Sequence, residues 1–192
     1  MNEVDSTADA QQSDVGEKFY GKYRGTVVNN LDPMQLGRIQ VMVPDVFGLS
    51  ISSWAMPCVP IAGKQQGIFV LPQVGSGVWI EFEQGEPDYP IWVGGFWGIA
   101  AEVPALALAP PPPPPGQNIV IQTTGQNTFL LSDVPGPTGG IMLKTTTGAM
   151  ILMNDVGVTI TNGKGATIMM NGPAITITGS PVTINNGALT VV

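Results

Sequence analysis

Residues 158–192 read VTITNGKGATIMMNGPAITITGSPVTINNGALTVV, in which short apolar alternations are separated by corners rich in glycine and asparagine. Alternation of this kind is typical of half-buried β-strands. The runs VTIT, TIMM, ITIT, VTIN and LTVV begin 9, 8, 7 and 7 residues apart, so the segment is a repeat with a period close to eight. Looser units of the same kind extend back to NIVIQTTG at residue 118 and make about nine units in all.

A single unit of this repeat cannot bury its own apolar side chains. A five-residue strand extends about 17 Å and directs only every second side chain to one face. Either three successive units of one chain form a turn of a triangular β-helix, or three chains each supply one unit. About nine units in one chain would give only three turns with exposed edges, whereas three chains wound together pair most edges. We therefore predict an intertwined homotrimeric β-helix needle.

The alternation also predicts which side chains fill the axis of this trimer. Residues Thr159, Thr161, Thr176, Thr178 and Asn185 are expected to face water. The predicted axis residues are Val158, Ile160, Ile168, Met170, Ile175, Ile177, Val182, Ile184, Leu189 and Val191.

The segment before the repeat contains all four tryptophans and has a different pattern. GRIQVMVP and GVWIEFEQG each alternate apolar with polar residues, YRGTVV and PIWVGGFWG supply further strands, and NNLDPMQLG and QGEPDYP are typical of turns. Five short strands in about 80 residues, with no helical pattern, predict a five-stranded antiparallel barrel of the OB type. The predicted fold is therefore all-β, with an N-terminal OB barrel and a C-terminal triple-stranded β-helix.

Shifts in composition divide the chain into four segments. Residues 1–17 are polar and acidic and predict a flexible tail, and residues 18–98 are the predicted barrel. Residues 99–116 are interpreted as a linker, whose six consecutive prolines would span about 19 Å as polyproline II. Residues 117–192 form the predicted spike.

Composition limits the possible functions. Only 11% of the 192 residues are charged and the net charge is −7, which disfavours binding to nucleic acid and anionic lipid. The single cysteine, Cys58, is interpreted as a small buried apolar side chain, because the chain has no histidine to activate it. The acidic N-terminus is unlike a signal peptide, and no apolar run approaches the roughly 18 residues of a membrane helix. We expect synthesis in the cytoplasm.

Several stretches together resemble a known family. YRGTVVNNLDPMQLGRIQVMVPDV, WAMPCVPIAGKQQGIFVLPQVGSGVWIEFEQGEPDYPIWVGGFW and the β-repeat behind them are similar to the central spike of contractile phage tails and related injection machines, including the valine-glycine-repeat spikes of type VI secretion. The resemblance implies a trimer whose barrels sit on a ring-shaped baseplate hub and whose needle points forward. The sheath then drives the spike through a target envelope, and effectors are further partners that the family suggests.

The resemblance also raises expectations about sites. Some spikes carry a lysozyme domain and others bind iron through histidines at the apex, but neither feature is present here, so we expect no catalytic residue, cofactor or metal. Because the repeat continues to the last residue, we expect a separate tip protein of the PAAR-repeat type to dock there. The expected docking residues are Asn185, Asn186, Gly187, Ala188, Leu189, Thr190, Val191 and Val192.

Other functions compete with the spike. The aromatic residues Trp54, Trp79, Trp92 and Trp97 would suit a carbohydrate- or receptor-binding module if they lined a groove, but core packing or contact between barrels explains them equally well. A β-helical polysaccharide-degrading enzyme would need carboxylates clustered on one face of the needle. The four charged residues after the linker are too few and too scattered for such a site.

Overall fold

The computed structural model describes residues 16–109, 118–184 and 189–191. The chain divides into two compact units, the first ending at Gly98 and the second beginning at Ile99. Each unit is built mainly of strands, with one four-residue α-helix, α1 (Pro44–Phe47), and short 3-10 turns among the described residues. The all-β prediction is confirmed. The proline run and the first fifteen residues of the expected tail lie outside the described part of the chain.

A curled five-stranded sheet forms the first unit, in the order β2-β1-β6-β7-β3. Neighbouring strands are antiparallel except at β3 and β7, which run parallel. A small separate hairpin, β4 and β5, precedes β6. The strands are β1 (Tyr23–Asn29), β2 (Gln40–Met42), β3 (Met56–Pro57), β4 (Ala62–Gly63), β5 (Gln66–Gly67), β6 (Gly77–Phe82) and β7 (Pro90–Phe96).

Two bridges close this sheet into a barrel. Met42 pairs with Ile51 and Ile39 pairs with Ala55, so the segment that leads into β3 joins the free edge of β2. The Ile39 and Ala55 backbones exchange hydrogen bonds of 3.1 and 2.8 Å. Since β3 also pairs with β7, hydrogen bonding continues around the whole ring. The predicted OB-type barrel is therefore present, and its closure depends on a segment that the alternation pattern did not indicate.

Alternating side chains of the barrel strands fill its core. In β6 every second residue is buried, and the same alternation in β1 and β2 supplies the facing side chains, as expected for strands with one wet face. An aromatic cluster around Phe82, with ring centroids 5.6 to 6.1 Å apart, closes one part of the core. The buried apolar residues are Val27, Ile39, Val41, Val43, Ala55, Val78, Ile80, Phe82 and Trp92.

Cys58 is exposed, so the prediction of a buried cysteine is wrong. Its backbone N–H donates a 2.9 Å hydrogen bond to the carbonyl oxygen of Trp92, which continues the β3–β7 pairing. Adjacent residues along a strand face opposite sides of a sheet, and the side chain of Cys58 lies on the side that faces away from the core.

The second unit is dominated by a seven-stranded antiparallel sheet in which neighbours in sequence are neighbours in space. Two further strands, β15 (Val182–Ile184) and β16 (Leu189–Val191), form their own hairpin. The strands of the large sheet are β8 (Asn118–Gln122), β9 (Thr128–Ser132), β10 (Gly140–Lys144), β11 (Met150–Asn154), β12 (Gly157–Thr161), β13 (Thr167–Asn171) and β14 (Ala174–Thr178).

The nine strands of the second unit correspond to the predicted repeat units. In the large sheet, hydrogen bonds join successive units of the same chain. A single-chain triangular coil would instead require pairing between units that are three apart. Intertwining of three chains is a property of the assembled trimer and stays a prediction.

The beginning of the expected linker is not extended in the structure. Residues Ala100–Glu102 and Ala105–Ala107 form 3-10 turns, and the Asn118 side-chain amide donates a 2.9 Å hydrogen bond to the carbonyl oxygen of Leu106. The second turn therefore contacts β8. The expected extended spacer, the six prolines, lies outside the described residues, and the linker bounds stay a prediction.

Candidate functional site

One face of the seven-stranded sheet consists entirely of apolar side chains. Residues directly opposite each other in antiparallel strands share a face, so the register determines which side chains lie together. Ile168, for example, pairs with Ile160 and Ile177, and Leu143 pairs with Ile151 and Phe129. The fourteen residues of this apolar face are Ile119, Ile121, Phe129, Leu131, Ile141, Leu143, Ile151, Met153, Val158, Ile160, Ile168, Met170, Ile175 and Ile177.

The apolar face is open to solvent in the single chain. Ile175 is 70% exposed and Ile121 is 65% exposed on the edge strands, and Ile151, on the central strand β11, remains 39% exposed. Seven strands spaced about 4.8 Å apart make the face roughly 29 Å long. A continuous apolar surface of this size marks an interaction site, since dispersed exposed apolar residues are normal but contiguous patches are not.

The opposite face carries mostly polar side chains in its later strands, β12 to β14. Thr159, Thr161, Thr176 and Thr178 lie there, as the alternation predicted. Its central row is apolar in the first strands, where Leu130 is only 6% exposed, and becomes mixed towards β14. The two faces therefore differ most in the later strands, where the repeat is most regular.

The structure brings together six of the ten predicted axis residues, those of β12, β13 and β14, on the apolar face. The other four belong to the terminal hairpin, in which Val182 pairs with Val191 and Ile184 pairs with Leu189. Sequence reasoning missed the eight apolar residues contributed by β8 to β11, although the same alternation is visible in NIVIQ and GIMLK. The irregular corners between those units concealed their common face.

The expected tip-docking residues are only partly described. Leu189, Thr190 and Val191 form β16, whereas residues 185–188 and Val192 lie outside the described part of the chain. Their docking role stays a prediction.

The barrel carries a loop, residues 31–37, that is held by one carboxylate. Asp32 accepts hydrogen bonds from the backbone N–H groups of Met34 and Leu36, at 2.9 and 2.8 Å, and from the guanidinium of Arg38, at 2.6 Å. The Asp32 side chain is 3% exposed and that of Arg38 is 16% exposed. The Arg38 guanidinium also lies 5.3 Å from the ring centroid of Trp54. These contacts fix the loop while its apolar side chains remain exposed.

The paired guanidinium is the largest of the effects that lower the pKa of Asp32 well below its ordinary value, and the backbone N–H groups act in the same direction. A folded-state pKa below that of the unfolded chain means that the ionised carboxylate stabilises the fold. This stabilisation is complete above the ordinary aspartate pKa of about 4 and is lost as the pH falls below it. The loop is therefore sensitive to acid.

We expect Asp32→Asn to lower the unfolding temperature of the barrel at pH 7 and to have a progressively smaller effect as the pH falls from 4 to 2. Thermal unfolding followed by tryptophan fluorescence measures the difference from wild type. The matched control is Asp88→Asn, since Asp88 is an exposed aspartate of the same unit. A difference between wild type and Asp32→Asn that is the same at every pH would contradict the assignment.

The four tryptophans do not line one groove. Trp92 is 7% exposed, and its indole N–H donates a 3.1 Å hydrogen bond to the carbonyl oxygen of Gly37. Trp79 packs against Phe96 beneath Arg24, whereas Trp97 is 63% exposed. Since three of the four contact other side chains or the backbone, the structure does not favour an open sugar-stacking platform.

The described residues contain no group of three or more His, Cys, Asp or Glu side chains arranged to hold a metal ion. Glu81 forms an ion pair with Lys22 on the outer side of the barrel, and Glu83 begins a 3-10 turn. Within the described ranges, no helix is long and apolar enough to cross a membrane.

Comparison with known families gives two matches. Residues 23–97 match the type VI secretion system/phage-baseplate injector OB domain, and residues 118–190 match the phage baseplate V C-terminal trimerisation domain. The first match covers the closed barrel and the second covers the sheet with the apolar face. No curated protein matches the chain.

Proposed function

Because the chain belongs to the baseplate spike proteins of contractile phage tails and type VI secretion systems, we propose that it is the trimeric central spike of such a machine, with a structural rather than catalytic role. Three copies associate through the trimerisation domain, and the assembled rod transmits the force of sheath contraction to a target envelope. The barrel lies on the side of the baseplate hub, and the chain is carried as part of the virion tail or injection particle.

The apolar face of the second unit is the observation that carries this proposal. In a single chain eleven of its fourteen side chains are exposed. The match to a trimerisation domain over the same residues supports two further copies as the partners that cover them. Three sheets that turn their apolar faces inward bury these side chains at the axis, while the threonine-bearing faces meet water. Burial of apolar side chains stabilises the trimer by about 25 cal/mol per Å² of apolar surface removed from water. We attribute the stiffness of the assembled rod to this burial.

Two measurements test the proposal. Native mass spectrometry of the full-length protein is expected to give three times the chain mass of 20.1 kDa. Electron microscopy of the assembled particle should then place the barrel next to the tube and the second unit at the distal end. A well-folded monomer of 20.1 kDa would contradict the spike, and a trimer that does not enter the particle would contradict the baseplate role.

We further propose that residues 185–192 hold a tip protein of the PAAR-repeat type. Support comes from the terminal hairpin, which is separate from the large sheet and is uncharged throughout. Strand ends expose unpaired backbone N–H and C=O groups, and these can pair with another protein.

Deletion of residues 185–192 is expected to abolish co-purification of a co-expressed PAAR-type tip protein while the trimer persists. The reason is that the apolar face in β8 to β14 is untouched by the deletion. The control is a deletion of residues 2–9 at the other end of the chain, which should retain the tip protein. If the truncated trimer still binds the tip protein, the docking residues lie elsewhere.

A further inference from the structure

The corner between β12 and β13, residues 162–166, holds the side-chain amide of Asn162 by its oxygen alone. Oδ1 of Asn162 accepts two backbone hydrogen bonds, from the N–H of Lys164 at 2.8 Å and from the N–H of Ala166 at 3.1 Å. The amide nitrogen Nδ2 makes no hydrogen bond to the residues that the structure describes. The corner is exposed to water. The side-chain carbonyl of Asn162 is therefore polarised by two donors, while its NH2 group is not held.

The fold requires a glycine directly after Asn162. Gly163 has φ of 70°, in the left-handed region, and a Cβ there would lie 2.6 Å from the carbonyl carbon of Gly148. The bond from Oδ1 to the N–H two residues ahead also folds the Asn162 side chain back over the peptide bond that precedes Gly163. Asparagine is a thermolabile residue, and a following glycine has no side chain to shield its backbone nitrogen. The corner therefore combines a reactive sequence with a polarised carbonyl.

The reaction open to this pair is an intramolecular acyl transfer. The backbone nitrogen of Gly163 loses its proton to water and forms a bond to Cγ of Asn162, which places negative charge on Oδ1. The bond between Cγ and Nδ2 then breaks with release of ammonia and leaves a cyclic succinimide. Water opens this ring at either carbonyl carbon, and the product is aspartate or isoaspartate. The negative charge thus develops on the atom that already accepts two N–H groups.

Two contacts of the corner act on this step in opposite directions. Backbone N–H groups aimed at a developing oxyanion accelerate acyl transfer by about 10²–10³ per donor in a closed active site. Donors at an exposed corner supply less, because water screens them. Against them, the Gly163 N–H donates to Oγ1 of Thr161 at 3.1 Å, and loss of an exposed hydrogen bond slows the attack by at most about tenfold. Two donors on Oδ1 outweigh this single bond.

We propose that the corner converts Asn162 to aspartate or isoaspartate without an enzyme, and that folding accelerates the conversion. The proposal does not depend on the spike function. Residues 116–192 carry two positive and two negative side chains, so each conversion changes their net charge from 0 to −1 in that copy. The aspartate product retains the two N–H partners, whereas isoaspartate lengthens the backbone of the corner by one carbon atom.

Two asparagines of the same sheet provide internal comparisons. Asn171 also precedes a glycine, but its side chain makes no hydrogen bond to the described residues, and pairing on both sides holds its backbone extended. Asn154 has two backbone N–H partners on Oδ1, but Asp155 follows it and shields the nitrogen. Neither combines the glycine with the two donors, so we expect both to convert more slowly than Asn162. The pair Asn186–Gly187 lies outside the described residues.

Incubation of the full-length protein in mildly alkaline buffer made with heavy-oxygen water tests the proposal. Each conversion incorporates one labelled oxygen atom, and peptide mapping by mass spectrometry, with separation of isoaspartate, gives the rate at each asparagine. We expect Asn162 to convert about tenfold faster in the folded protein than in the same protein unfolded in urea. Asn171 should convert more slowly when folded. A rate at Asn162 that is no higher in the folded protein overturns the proposal.

Two variants separate the effect of the donors from that of the sequence, and circular dichroism verifies that each is folded. Thr161→Val removes the hydroxyl that holds the attacking nitrogen and is expected to raise the rate at Asn162, by up to about tenfold. Asp155→Gly gives Asn154 a following glycine while its two N–H partners remain, and should raise its rate above that of Asn171. A rate at Asn154 that stays at the level of Asn171 assigns reactivity to sequence alone and overturns the role of the donors.

Discussion

Ile168→Asp is expected to abolish the trimer and to leave a chain of 20.1 kDa in native mass spectrometry. Ile168 lies on the apolar face in β13, between Ile160 of β12 and Ile177 of β14. Three new carboxylates would meet at the axis without partners. An unpaired buried charge costs about 3–5 kcal/mol, and three of them exceed what the lost apolar contacts alone would remove.

The adjacent residue provides a matched control. Met169 has the same exposure as Ile168, 40%, but lies on the opposite face, where it pairs with Thr159 and Thr176. Met169→Asp places the same charge on the same strand and is expected to leave the trimer intact. If Met169→Asp dissociates the trimer and Ile168→Asp does not, the two faces of the sheet have been assigned to the wrong sides.

Gly157→Ala is expected to destabilise the second unit by at least about 2 kcal/mol. Gly157 begins β12 with φ of 152°, and a Cβ there would lie 1.9 Å from the carbonyl oxygen of Met170. A contact this short forces the backbone of β12 and β13 apart at the start of their pairing. Denaturant unfolding of the full-length protein, followed by circular dichroism, measures the effect.

Two further glycines separate the clash from backbone strain. Gly165 has φ of 103° but open space around its Cβ position, so Gly165→Ala reports strain alone. Gly179 is free of left-handed strain, and its Cβ position makes an ordinary contact of 3.6 Å with Val182, so Gly179→Ala should be nearly neutral. The expected order of destabilisation is Gly157, then Gly165, then Gly179. Equal stability of the Gly157 and Gly179 variants would show that the close approach does not exist.

Association into a trimer follows from a mismatch that is visible in both sequence and structure. The repeat places apolar side chains at every second position, but a single chain has too few residues to bury them. The structure shows the same mismatch as an open face, and the match to a trimerisation domain identifies the cover as further copies. We propose the mechanical role from this assembly. In a rod whose apolar side chains are buried between chains, displacement of one strand exposes the apolar side chains of the neighbouring strands to water.

The amino-acid sequence by itself determined the strands of the repeat, the faces of β12 to β14 and the barrel class, because alternation and turn-forming residues act over about eight neighbouring positions. Only the tertiary structure decided that residues 51–55 close the barrel, that Cys58 is exposed and that the turn Ala105–Ala107 contacts β8. Each of these features depends on which distant strand supplies a hydrogen-bonding edge. A local pattern shows which side chains share a face, but the partner that covers the face is chosen by contacts between residues far apart in the chain.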